Sequence, residues 1–187
     1  LMPSSGLDSF RALYQTSKKP DNIYVYGEFV HSELEADKYY DLKSDRLPIG
    51  KDFVEFFMFT QKKGYCVHFA TAATLMFRAA GIPARYVEGY VLRPSDYSNA
   101  TKNADGRYQV TITDAQAHAW VEIWDDDLGW VVYDATPGYY ETTDLIYKAG
   151  ENGDTDGNPV DESDEEDDEE EEELEIDDPE SDDIVYI

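Results

Sequence analysis

Apolar positions recur at helical spacing through the first half of the chain and alternate with polar ones through the second. Residues 7 to 17 read as a short helix that stops at Lys18-Lys19-Pro20-Asp21-Asn22. Ile23, Tyr26, Phe29, Val30 and Leu34 then mark a second helix over about 22 to 35. Tyr39 to Leu42 suits a short strand, and Pro48 to Asp52 a turn. Asp52 is placed to cap a short helix whose Phe53, Phe56, Phe57 and Phe59 belong in the core. The best-formed helix runs from Cys66 to Ala80, with an apolar stripe of Phe69, Ala70, Ala73, Met76, Phe77 and Ala80 and Gly81 as its closing glycine.

After Pro83 the period changes. Tyr86–Leu92, Tyr108–Thr113, His118–Trp124 and Trp130–Asp134 read as strands, and residues 93 to 107 as an exposed loop beside whatever site the sheet carries. Helices first and strands after is an α+β order with an antiparallel sheet. If Asp125 to Gly129 form the hairpin loop, Trp124 pairs with Trp130 and Asp134 becomes the diagonal neighbour of His118. By parity His118, Trp120, Trp124, Trp130, Val132 and Asp134 then share one face, and Cys66 is expected to begin a helix packed against it.

Composition separates a tail from the body. From Ala149 onward there are 21 acidic residues and no Lys or Arg, leaving 21 acids against 15 bases, a net of −6, for the rest. The expected division is an N-terminal helical segment (1–38), a core domain (39–148) and an acidic linker or tail (149–187). The tail cannot bury enough apolar surface to offset its ordering entropy and is expected to be disordered. Ile184-Val185-Tyr186-Ile187 is apolar again and could add a strand to an exposed edge. Clustered Lys and Arg are missing, so nucleic acid is not an expected partner. No apolar run reaches the ~18 residues of a spanning helix. The chain opens on Leu1 and reads as a piece of a longer protein.

One cysteine and three histidines give no zinc spacing, and no phosphate loop is present. Asp154-Thr155-Asp156-Gly157-Asn158 lacks the closing glutamate of a calcium loop. No cofactor or metal is expected. Cys66 on position alone reads as a small buried apolar group. Its place at a helix N-terminus, with a histidine and an aspartate sharing a strand face downstream, is the arrangement of an activated thiol nucleophile. In that reading Asp134 accepts the Nδ1 proton of His118 and steadies the imidazolium. His31 lies on an amphipathic helix, and His68, two residues past Cys66, should face away from the thiol.

The runs Gly64-Tyr65-Cys66-Val67-His68-Phe69-Ala70, Arg78-Ala79-Ala80-Gly81-Ile82-Pro83-Ala84-Arg85 with Gly89-Tyr90, His118-Ala119-Trp120-Val121-Glu122 and Trp130 to Gly138 resemble the core of the bacterial transglutaminase-like superfamily. The resemblance spans about Tyr39 to Tyr139. It implies a papain-like α+β fold with Cys66, His118 and Asp134 as a catalytic triad, and a cysteine-dependent acyl transfer on peptide or glutamine side-chain amides. Tyr65 and Trp120 are the candidates for lining the substrate cleft. It also implies a protein or peptide substrate and an extracytoplasmic domain tethered to a membrane by segments outside this chain. The animal cross-linking enzymes have Gln-Cys-Trp at the nucleophile and a tryptophan upstream; here the flank is Tyr65-Cys66-Val67 and no tryptophan precedes it. The alternative from another class is a catalytically silent module binding peptides or wall polymers on the same fold.

Overall fold

The computed structural model describes residues 7–97, 100–104, 106–139 and 185–186. Two helices, α1 (Asp8–Tyr14) and α2 (Ile23–Glu35), lead into β1 (Tyr39–Tyr40), α3 (Phe53–Phe56) and β2 (Lys63–Gly64). Then follow α4 (Cys66–Ala79), β3 (Ala84–Leu92), a single turn α5 (Pro94–Tyr97), the short hairpin β4 (Thr101–Lys102) and β5 (Tyr108–Gln109), and the long hairpin β6 (Ala117–Asp125) and β7 (Gly129–Tyr133). A last pair, β8 (Val185–Tyr186), joins the main sheet, whose order is β7-β6-β3-β8 with every pairing antiparallel.

Local chemistry sets these boundaries. The Asn22 side chain accepts from the Tyr24 and Val25 amides at the start of α2, and Asp52 does the same for Val54 and Glu55 at α3. Helix α4 ends in paired bonds, Ile82 N–H to Phe77 C=O (2.9 Å) and Gly81 N–H to Arg78 C=O (3.1 Å), with Gly81 at φ +79°. That is the Schellman closure, which only a residue tolerant of positive φ makes cheaply. The register of the long hairpin pairs Trp124 with Trp130 and Glu122 with Val132, as the sequence predicts.

The sheet differs from expectation in three places. The strand expected over 108 to 113 stops at Gln109, because its only ladder partner is the two-residue β4. The strand expected over 39 to 42 stops at Tyr40, and it pairs with β2 in parallel, Tyr40 opposite Gly64. Helix α4 packs on the face opposite to the one that carries His118. Ala119, Val121, Ile123, Val131 and Tyr133 join Phe69, Ala73, Met76 and Phe77 in one buried cluster, and Phe77 meets the Tyr133 ring edge-on at 4.9 Å. Side chains alternate along a strand, so His118 and Trp120 stand on the other side.

Helices α1 and α2 complete the core with Phe10, Tyr14, Val30 and Leu34. Polar ends of buried rings fix their positions: Tyr133 donates to the Gly27 carbonyl (2.8 Å), Tyr26 to the Met76 carbonyl (3.1 Å) and Tyr24 to Asp125 (2.8 Å). Residues 140–184, which include most of the expected tail and the calcium-like stretch, lie outside the described residues. Among the described residues no helix is long and apolar enough to cross a membrane.

Candidate active site

Cys66 is the first residue of α4, behind an extended Tyr65 (φ −120°, ψ −176°). The first amides of a helix have no acceptor within it, so the sulfur sits where N–H groups and the positive end of the helix dipole converge. Cys66 itself is buried, at 9% exposure. The turn before it is built by His68, whose Nδ1 accepts from the Tyr65 amide at 3.3 Å. The His68 ring is packed against Phe53 (4.6 Å), Phe57 (5.3 Å) and Tyr65 (4.7 Å). Burial pushes its pKa down. As expected, its contacts lie away from the thiol. Gly64 makes that packing possible, because a Cβ there would stand 2.5 Å from His68 Cγ.

His118 is the second residue of β6, and Asp134 follows the end of β7. The strands bring them together: His118 Nε2 lies 2.7 Å from Asp134 Oδ2, with both side chains buried. The second carboxylate oxygen, Oδ1, accepts the Thr136 amide at 2.9 Å. The ring is turned relative to the sequence-based expectation, since Nε2 rather than Nδ1 meets the aspartate. This leaves Nδ1 for Cys66, whose sulfur is within hydrogen-bonding reach of the imidazole.

Burial alone would push the His118 pKa down. The hydrogen bonds and negative charges of Asp134 and Cys66 outweigh it and push the pKa up to about 9. Those partners favour the protonated form of the imidazole. Tyr40 on β1 and Tyr86 on β3 are close enough to Cys66 to feel its charge. Both hydroxyls are held above their ordinary value, by burial first, with a contribution from the charge of a Cys66 thiolate.

Of the two expected cleft residues, Tyr65 is half-buried against His68, and Trp120 is 3% exposed with its ring nearly parallel to His118 at 6.4 Å. His31 pairs with Glu35 on α2, 3.1 Å away. Two residues that the sequence reading passed over also belong to the site. Tyr139 stacks on the His118 ring, centroids 4.2 Å apart and planes 23° apart, and the Arg93 guanidinium lies 4.3 Å from the Tyr139 centroid. Pro137-Gly138 was the available signal, because a turn there folds the next side chain back on the strand end. Among the described residues no group of three or more His, Cys, Asp or Glu is clustered to hold a metal ion.

The sequence model of the transglutaminase-like superfamily matches residues 13–135, and the chain belongs to that family. It is 32% identical over 141 residues to the Bacillus subtilis protein YebA, covering 74% of this chain and 19% of that one. It is 40% identical over 87 residues to a protein-glutamine gamma-glutamyltransferase of Pseudomonas aeruginosa, covering 46% of this chain and 12% of that one. Its fold is similar to the crystal structure of the periplasmic domain of TgpA from Pseudomonas aeruginosa, with a TM-score of 0.57, 28% identity, and coverage of 76% of this chain and 46% of that domain. The chain thus spans less than half the length of each of these relatives.

Proposed function

We propose that this domain is a cysteine-dependent acyl-transfer enzyme acting on peptide or glutamine side-chain amides, with Cys66 as nucleophile, His118 as general base and acid, and Asp134 as its orienting partner. The observation that carries the reading is the buried imidazole bonded to Asp134 through Nε2 with its other nitrogen left for the thiol. Transfer of the thiol proton to His118 gives a thiolate–imidazolium pair, stabilised by the helix end and by Asp134. The thiolate adds to the amide carbonyl, and the oxyanion takes the Cys66 backbone N–H. His118 returns its proton to the leaving amine as the C–N bond breaks, leaving a thioester. Water or a primary amine then attacks the thioester, with His118 taking its proton and the thiolate departing.

The glutamyltransferase among the relatives supports an amide acyl donor, and the periplasmic domain supports an extracytoplasmic setting for this one. A membrane tether, supplied by parts of the protein beyond this chain, completes the proposal. In the test, iodoacetamide labelling of Cys66 is followed across pH for the wild type and His118→Ala. Peptide libraries are then screened by mass spectrometry for cleavage, deamidation or amine incorporation. The reading expects fast labelling at neutral pH, lost in His118→Ala, and turnover abolished by Cys66→Ala. A thiol with ordinary reactivity and no dependence on His118 would leave only the silent binding module.

A further inference from the structure

We propose that Tyr139 is a positioning residue, holding the His118 imidazole in its Asp134-bonded orientation, and that Arg93 pins Tyr139 in place. The inference rests on the acyl-transfer reading of the same site.

A histidine near a strand end keeps freedom about its second side-chain torsion, a broad rotor that one hydrogen bond constrains only along one edge. Rotation by half a turn would present carbon rather than Nδ1 to the thiol. The Tyr139 ring lies nearly parallel to the imidazole at 4.2 Å and closes one face of that rotor. The Arg93 guanidinium, 4.3 Å from the same Tyr139 centroid, holds that ring by a cation–π contact.

The chain delivers Tyr139 to this place by turn chemistry. Tyr139 N–H donates to Thr136 C=O at 2.9 Å, Pro137 sits at the second position, and Gly138 at the third has φ +85°. Those are the requirements of a type II turn. The turn starts from Thr136, whose amide is held by Asp134 Oδ1. The carboxylate that orients the imidazole therefore also sets the turn that covers it. Arg93 is braced in the same manner. Its amide donates to Asp96 Oδ2 (2.8 Å), the Asp96 amide returns to the Arg93 carbonyl (2.8 Å), and Asp96 Oδ1 accepts from Gln116 Nε2 (3.2 Å). Gln116 immediately precedes the strand that bears His118, so the brace closes on itself.

The groups facing His118 are Asp134 from the end of β7, Cys66 from α4 and Tyr139. Arg93 holds the Tyr139 ring, and Tyr40 and Tyr86 are close enough to Cys66 to feel its charge. Of these, only Cys66 exchanges a proton with the imidazole in the proposed chemistry, while Asp134 accepts its Nε2–H hydrogen bond. Tyr139 acts on the imidazole through its ring, while its hydroxyl bonds the Arg93 side chain.

The test uses the full chain with iodoacetamide as probe, from pH 5 to 10, on wild type, Tyr139→Ala, Tyr139→Phe and Arg93→Ala. Below pH 8 the thiolate depends on the oriented imidazole, and Tyr139→Ala should label about tenfold more slowly, as for a one-unit rise in the thiolate midpoint. At pH 10 hydroxide ionises the thiol unaided and the rates should converge. Tyr139→Phe should restore the wild-type profile, and Arg93→Ala should show a smaller loss over the same range. A Tyr139→Ala profile identical to wild type, or a loss of equal size at every pH, overturns the proposal. If Tyr139→Ala fails to fold, an Arg93→Ala profile identical to wild type does the same. An ordinary thiol profile in the wild type itself removes the acyl-transfer reading and this inference with it.

Discussion

Asp134 holds the His118 imidazole through a 2.7 Å contact with no solvent at the carboxylate, and this ties stability to pH in a definite direction. The folded His118 pKa is raised to about 9 from an ordinary 6.5, so folding gains from proton uptake. That contribution is complete below the unfolded value and fades as pH climbs through the folded one. In Cys66→Ala, where the imidazole cannot draw its proton from the thiol, the unfolding free energy should therefore fall as pH rises above about 6.5. Asp134→Asn should flatten that slope as well as destabilise the protein, and a slope unchanged in Asp134→Asn would break the link. At this scale the pairing of His118 with Asp134 was legible from strand parity. Cys66 was singled out by residue type and its place at a helix N-terminus, and the face that α4 packs on was not legible. Which imidazole nitrogen meets which partner was not legible either, since ring rotation leaves no trace in spacing. Tyr139 was missed because its role depends on a turn that carries it past the end of the strand.

Elements were legible where one periodicity or one cap decides them. Asn22, Asp52 and Gly81 each mark a helix boundary that the structure keeps, and the Trp124–Trp130 pairing follows from loop length alone. Elements that depend on distant partners were not. α3 passes into a wider π turn over Phe57–Gln61 that ends at Lys62 with φ +58°, and a run of phenylalanines says nothing about that. The parallel β1–β2 pair joins residues 24 apart, and two-residue strands carry no pattern. Helix α1 lacks a side-chain cap of its own and is capped by Glu55, which accepts from the Ser9 and Phe10 amides at 3.0 and 3.1 Å. Glu55→Ala should cost about 1 kcal/mol in chemical denaturation, the usual value of a lost cap. Gly64→Ala should cost more, about 1–3 kcal/mol, because the new methyl meets a His68 ring already hemmed by aromatic neighbours. A neutral Gly64→Ala would show that His68 can move, and with it the entry to α4.

For the molecule as a whole, the helices-then-strands order gave the α+β class, and the family resemblance supplied the architecture. The side of the sheet taken by α4 needed the structure, because either face can receive a helix. β8 meets the body through the two-residue ladder of Val185 and Tyr186 with Leu92 and Val91. Removing residues 150–187 should thus shift the melting temperature by no more than a few degrees, since a contribution near 1 kcal/mol moves a domain of this size by about that much. A larger fall would mean that the body leans on the tail. The polar ends of the aromatic core carry a consequence for the order of manufacture. Tyr24 waits for Asp125, and Gly27 for Tyr133, across sequence separations of 101 and 106 residues. At synthesis rates of about 5–20 residues per second, α2 exists for roughly 5–20 s before the strands that cover it are made. During that interval Tyr26, Val30 and Leu34, destined for burial, belong to a core whose strand residues do not yet exist. The nascent chain, more than the finished domain, is where this fold is most exposed to aggregation and to proteases.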